Sequence, residues 1–162
     1  MSKIFKIIFL LIWGGGIVFA IRDLIIYAPK AKEVQRQLES EFQSIVVMPN
    51  TTAYGYSATH GGYKSSVGMG YATHASFLEI RNFYNADLVK HGWRFVSEDK
   101  IYDWGRDFGG KYLLYCKSDY AASIQYFGSD RDSYGVDFSF DLSWGLQPLF
   151  GDKTRLVCNS KQ

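Results

Sequence analysis

Three histidines, at positions 60, 74 and 91, are all the imidazole this chain possesses. Metal-dependent chemistry would need them paired on one helix face or beside paired cysteines. No HExxH and no paired Cys/His spacing occurs, so a zinc site built from His60, His74 and a distant carboxylate has no local pattern behind it. His91 falls in the last turn of an expected helix, where the dipole favours a cation. Nucleophilic catalysis finds no Gly-x-Ser-x-Gly and no Cys/His pair. Gly61-Gly62-Tyr63-Lys64-Ser65 has the residue types of a phosphate loop without its spacing, and no helix is expected directly after it. Asp130, Asp132, Gly135 and Asp141 fall at positions 1, 3, 6 and 12 of a calcium loop. Tyr134, however, stands where an oxygen ligand belongs, and a strand follows. Asn50-Thr51-Thr52 is a glycosylation sequon, meaningful only in a eukaryotic secretory pathway. Carboxylates are plentiful, but an acid/base pair cannot be chosen without geometry. The expectation is a protein that is not an enzyme and uses neither a metal nor a cofactor.

Residue types suited to recognition are easier to find. The stretch Tyr102-Asp103-Trp104-Gly105-Arg106-Asp107-Phe108-Gly109-Gly110 sets Tyr, Trp, Phe and Arg among glycines with no strand or helix period. Such side chains dominate interface hot spots. Two readings stay open: a loop folding its aromatics onto the core, or a docking loop using Tyr102, Trp104, Arg106 and Phe108. Six acids lie between positions 119 and 152 (Asp119, Asp130, Asp132, Asp137, Asp141, Asp152) against Arg131 alone. They read as a solvated sheet face or as a docking surface for a basic partner, with Asp137 and Asp141 as candidate contacts.

What holds these residues in place begins with the N-terminus. From Ile4 to Ile21 the chain reads IFKIIFLLIWGGGIVFAI, with Lys6 its one charge. A helix of that length rises roughly 27 Å, close to a hydrocarbon core. Gly14, Gly15 and Gly16 give it a small-residue face of the kind that packs against another membrane helix. A cleavable signal peptide is the rival reading, since Val18-Phe19-Ala20 is an acceptable cleavage site. Apolar character resumes at once in Leu24-Ile25-Ile26-Tyr27, which favours an uncleaved anchor over residues 1–28. Basic residues flank both ends of the span, so the positive-inside count alone would allow a cytoplasmic domain. The signal-like start and the Tyr/Ser/Gly/Thr-rich remainder point instead to an extracytoplasmic, periplasmic one. The expected location is a single pass through an inner (plasma) membrane.

The formal charge of +2 belongs to the anchor: without Lys3, Lys6, Arg22 and Asp23, 15 basic and 15 acidic residues remain. A neutral domain lacks the surplus of Lys and Arg that nucleic acid demands. With 162 residues, 17% of them aromatic, the chain has room for one ordered domain plus a tether. Residues 29–45 carry Ala31, Val34, Leu38, Phe42 and Ile45 at intervals of three or four, an amphipathic juxtamembrane helix. Residues 46–162 read as a soluble domain. Strands are expected over 52–59 and 64–73, then a helix from the S-x-x-E capping box at Ser76 to the stop at Gly92. Gly68 and Gly70 share one face of the second strand and leave room for something to lie close, most simply a helix. Trp93 to Val96 leaves as a strand, a loop spans 99–110, and strands follow over 111–117, 121–128 and 134–143. The order β-β-α-β-β-β-β makes an α+β domain of two layers, one main helix on an antiparallel sheet. Cys116 and Cys158 are candidates for a disulfide worth about 3–4 kcal/mol, or are two independent thiols.

Elimination therefore leads to a membrane-tethered, non-catalytic protein-binding module. The concrete version is an immunity or inhibitor protein of a bacterial envelope, meeting a toxin or enzyme. The alternative is a single-span accessory subunit of a larger membrane complex, assembled through the glycine face.

Overall fold

The computed structural model describes residues 28–61, 64–145 and 158. Within them the chain forms helix α1 (Ala28–Ser44), strands β1 (Thr52–Gly61) and β2 (Lys64–Ala72), and helix α2 (Phe77–Lys90). Strands β3 (Arg94–Asp103), β4 (Arg106–Lys117) and β5 (Tyr120–Tyr126) follow. A single 3-10 turn (Gly128–Asp130) and the one-turn helix α3 (Arg131–Tyr134) lead into β6 (Phe138–Gly145). The six strands make one antiparallel sheet in the order β1-β2-β6-β5-β4-β3. The last strand of the β3–β6 meander thus closes on the β1–β2 hairpin. The domain is a two-layer α+β fold. The expected anchor, with Gly14, Gly15 and Gly16, lies outside the described residues. Among the described residues no helix is long and apolar enough to cross a membrane.

Local sequence explains the helical layer. Ser76 Oγ accepts from the Glu79 amide, while the Ser76 amide donates to Glu79 Oε2 at 2.7 Å, so α2 starts with two of its orphan groups satisfied. Gly92 ends it at φ +83°, a conformation in which a Cβ would be strained. Ile80, Tyr84 and Leu88 line its buried face. On α1 the stripe Ala31, Val34, Leu38, Phe42 and Ile45 is buried throughout, so this helix is part of the same core. Aromatic rings join the layers. Phe42 and Tyr84 both stack on Phe140, at 5.5 and 5.3 Å between centroids, and Tyr71 stacks on Phe138 at 5.0 Å. Burial raises the Tyr84 hydroxyl well above its ordinary pKa and pushes that of Tyr115 up to about 12.

The other sheet face corrects one expectation. Both helices cover the face of Phe138, Phe140 and Leu142, so no helix approaches Gly68 and Gly70. A Cβ on Gly68 would fall 1.9 Å from Asp141 Oδ1, and one on Gly70 would fall 2.9 Å from Val136. The glycines make room for side chains of β6 and its approach. On this same face Cys116 is joined by a disulfide to Cys158.

The last strand begins later than its alternation implies. Tyr134 belongs to α3 and stacks on Phe127 at 4.2 Å, and Gly135 ends that turn at φ +70°. The regular strand register with β2 and β5 begins at Phe138. The larger difference concerns 99–110, expected as a loop. Here β3 runs on to Asp103 and β4 starts at Arg106, leaving a two-residue turn.

Candidate functional site

The turn between β3 and β4 places Trp104 at φ +48° and Gly105 at φ +79°, both left-handed, across the pair Asp103 and Arg106. Two left-handed residues give the hairpin turn whose twist matches its strands, normally filled by Asn-Gly or Asp-Gly. An indole is a poor occupant of that first position, because its Cβ crowds the backbone. Among the described residues Trp104 packs against nothing that would offset this: it is 99% exposed. Neither local geometry nor burial accounts for tryptophan here.

A bulge beneath the tip breaks the strand period. Ile101 faces Gly110, but Tyr102 faces Asp107, so Phe108 and Gly109 are extra residues on β4. Gly109 takes φ +76°, and the kink turns Phe108 inward, where it is 6% exposed. Phe108 is therefore removed from the docking set: it packs across Gly110 and Ile101 and anchors the arm's base. Tyr102, 56% exposed, stays on the surface with Trp104 and Arg106.

The arm projects beyond the rest of the sheet. β5 pairs with β4 only as far as Tyr126 opposite Lys111, which faces Lys100 on β3. Three further β3 residues carry the hairpin on for roughly 10 Å. Polar contacts stiffen this overhang. Arg106 Nη2 donates to both carboxylate oxygens of Asp130 at 3.0 and 2.8 Å. Lys100 Nζ donates to Asp107 Oδ2 at 2.7 Å, and the Gly109 amide donates to Asp107 Oδ1 at 2.9 Å. The lysine hydrogen bond, then that of the amide, holds the Asp107 carboxyl below its ordinary range. Gly128 lies against the arm so closely that a Cβ there would meet the Phe108 carbonyl oxygen at 2.3 Å. Ser129 Oγ donates to that same oxygen at 3.1 Å.

Just after this bracket the chain walls a polar cleft of about 520 Å³, lined among others by Asn50, Thr73, His74, Arg131, Asp132 and Asp137. Asp137 is committed within it: Oδ2 accepts from the Thr73 amide at 2.7 Å, and Oδ1 faces Arg131 Nη1 at 3.4 Å. It works first as a clasp between β2 and the start of β6. Asp141 is not at this end of the sheet. It lies over Gly68, accepts from Ser139 Oγ at 2.9 Å, and burial raises its pKa. Asp141 thus does not share a surface with the arm tip, and it is withdrawn from the acidic docking face its sequence position suggested.

The histidines are dispersed. His60 sits at the far end of β1, with Nδ1 hydrogen-bonded to Gln35 Oε1, whereas His74 follows the opposite end of β2. Nine strand residues, roughly 26 Å, separate the two ends. His91 caps α2, its Nδ1 at 2.8 Å from the Asp87 carbonyl oxygen. Among the described residues no three His, Cys, Asp or Glu side chains gather as a metal site. The cleft was missed from sequence because it joins residues 50, 74 and 131, which only the strand order brings together. No protein-family model, curated protein or solved structure matches the chain.

Proposed function

We propose that this is a membrane-tethered, non-catalytic protein-binding module whose contact surface is the tip of the β3–β4 arm. It fits an immunity or inhibitor protein of a bacterial envelope, held at the inner membrane with its domain on the periplasmic side. One observation carries the reading: a fully exposed tryptophan in a left-handed backbone conformation, which the fold itself has no use for. Strained residues of this kind concentrate where function retains them. Tyr102 and Arg106 beside it complete the residue set most frequent at hot spots. The Cys116–Cys158 disulfide supports an oxidising compartment, hence a domain outside the cytoplasm. The apolar run from Ile4 to Ile21 supports the tether.

The accessory-subunit reading rests on Gly14, Gly15 and Gly16. Two variants of the full-length protein separate it from the first. Replacing the three glycines by leucine leaves a binding module's partner in place but dissolves a subunit's assembly. Replacing Trp104 and Arg106 by alanine weakens the module's complex by about 2 kcal/mol or more. Wild-type behaviour of both variants in quantitative co-purification would dismiss both readings.

A further inference from the structure

The chain enters the domain at the end of the sheet opposite Trp104. Near the start of α1 the Ala31 carbonyl accepts from Ser65 Oγ, at the beginning of β2, and Lys30 lies 5.3 Å from the Trp144 ring, at the end of β6. Strand register carries this level across the sheet. Trp144 faces Tyr120, and Tyr120 faces Lys117. Beside Lys117, Cys116 faces Arg94, where β3 begins. From there β3 climbs through ten residues to Asp103. At strand rise that is roughly 30 Å, and the turn with Trp104 lies beyond it. The 27 residues that precede α1 are therefore attached at the pole remote from the arm.

Charge at the tip separates the possible occupants. A protein surface that binds anionic lipid presents an excess of Lys and Arg. Around Trp104 the cations are matched, Lys100 by Asp107 and Arg106 by Asp130. The polar cleft opens at the same pole, because β1 starts, β2 ends and β6 starts there, and its Arg131 is flanked by Asp132 and Asp137. An aromatic knob over a wall of balanced charges resembles the core and rim of a protein interface.

We propose that Trp104 and Tyr102 form a membrane-distal recognition pole that receives a water-soluble protein arriving from the aqueous side, one that offers an apolar pocket to the indole. Neither the anchoring bilayer nor a subunit buried in it meets this pole. The inference rests on the tethered-module reading and adds to it the direction of approach.

Energy transfer in vesicles tests it. The full-length protein, reconstituted in phosphatidylethanolamine and phosphatidylglycerol, carries a fluorescent amino acid in place of either Lys30 or Trp104. The acceptor is a headgroup-labelled lipid. Transfer several-fold stronger from position 30 than from position 104 is the expected result. Equal transfer, or stronger transfer from 104, overturns the distal pole and makes the bilayer the surface the arm meets. Absence of transfer from both positions removes the tether itself, a different failure that leaves the proposed function without its first premise.

Discussion

An indole at φ +48° and 99% exposed costs the fold strain that no burial offsets, and on the proposed reading binding is what retains it. Asparagine tolerates this conformation far better. Trp104→Asn is expected to raise the unfolding free energy by about 0.5–1 kcal/mol in urea titration, a gain typical of an improved turn, while partner binding falls. Asp141 shows a second conflict, between charge and burial. Its pKa is raised because the sheet face desolvates it over Gly68, with the Ser139 hydrogen bond a smaller opposing effect. A raised carboxyl pKa means the folded state binds its proton more tightly, so stability declines as pH rises from the unfolded value through the folded one. Asp141→Asn should therefore melt higher than wild type near neutral pH. That advantage should shrink as the pH falls towards 4, the ordinary aspartate range. Asp107 behaves oppositely, its lowered pKa adding stability above the ordinary carboxylate range that is lost on acidification. The sequence singled out both residues as candidate contacts, but neither the left-handed backbone of Trp104 nor the burial of Asp141 was legible in it. Gly68 and Asp141 are 73 positions apart, and only pairing of β2 with β6 brings them together.

Elements with strong periods or caps were readable in advance. The stripe from Ala31 to Ile45, the Ser76–Glu79 box and the alternation through Phe138, Phe140 and Leu142 each encode their own geometry. The β3–β4 arm escaped because both of its signals are irregular. Trp-Gly replaces the usual Asn-Gly at the turn, and the extra Phe108 and Gly109 shift the period. The single turn 131–134 was hidden for the opposite reason, since Tyr134 and Val136 happen to continue the alternation of β6. The arm's rigidity depends on its bracket. Gly128 combines φ +56° with a Cβ position 2.3 Å from the Phe108 oxygen. Gly128→Ala is expected to cost more than about 1 kcal/mol of stability. It should also raise hydrogen exchange selectively at amides of the arm, while those of β2 and β6 stay protected. Uniform exchange across the sheet would argue that the arm is braced some other way.

At the scale of the whole molecule, the sheet order joins two hairpin systems through β6, and the disulfide fastens residue 158 to β4. The bond closes a separation of 42 residues, for which chain entropy gives about 4 kcal/mol of stabilisation. Replacing Cys116 and Cys158 together by serine is thus expected to lower the unfolding free energy by about that amount. Reduction of the wild type should match it in denaturant titrations. Sequence named this pair without deciding whether it joined, because pairing depends on where strands fall. The same applies to the poles of the molecule. That the start of α1 and the arm occupy opposite ends of the sheet follows from the direction of β3, and no composition or motif carries it.

The central claim is that Trp104 is kept for a partner and not for the fold. Co-purification of the full-length protein from solubilised membranes, with wild type and Trp104→Asn distinguished by isotope labelling, tests this most directly. The account predicts a variant that folds at least as stably as wild type and has lost its companion protein by tenfold or more. An equally stable variant retaining the same companions in the same amounts would contradict it.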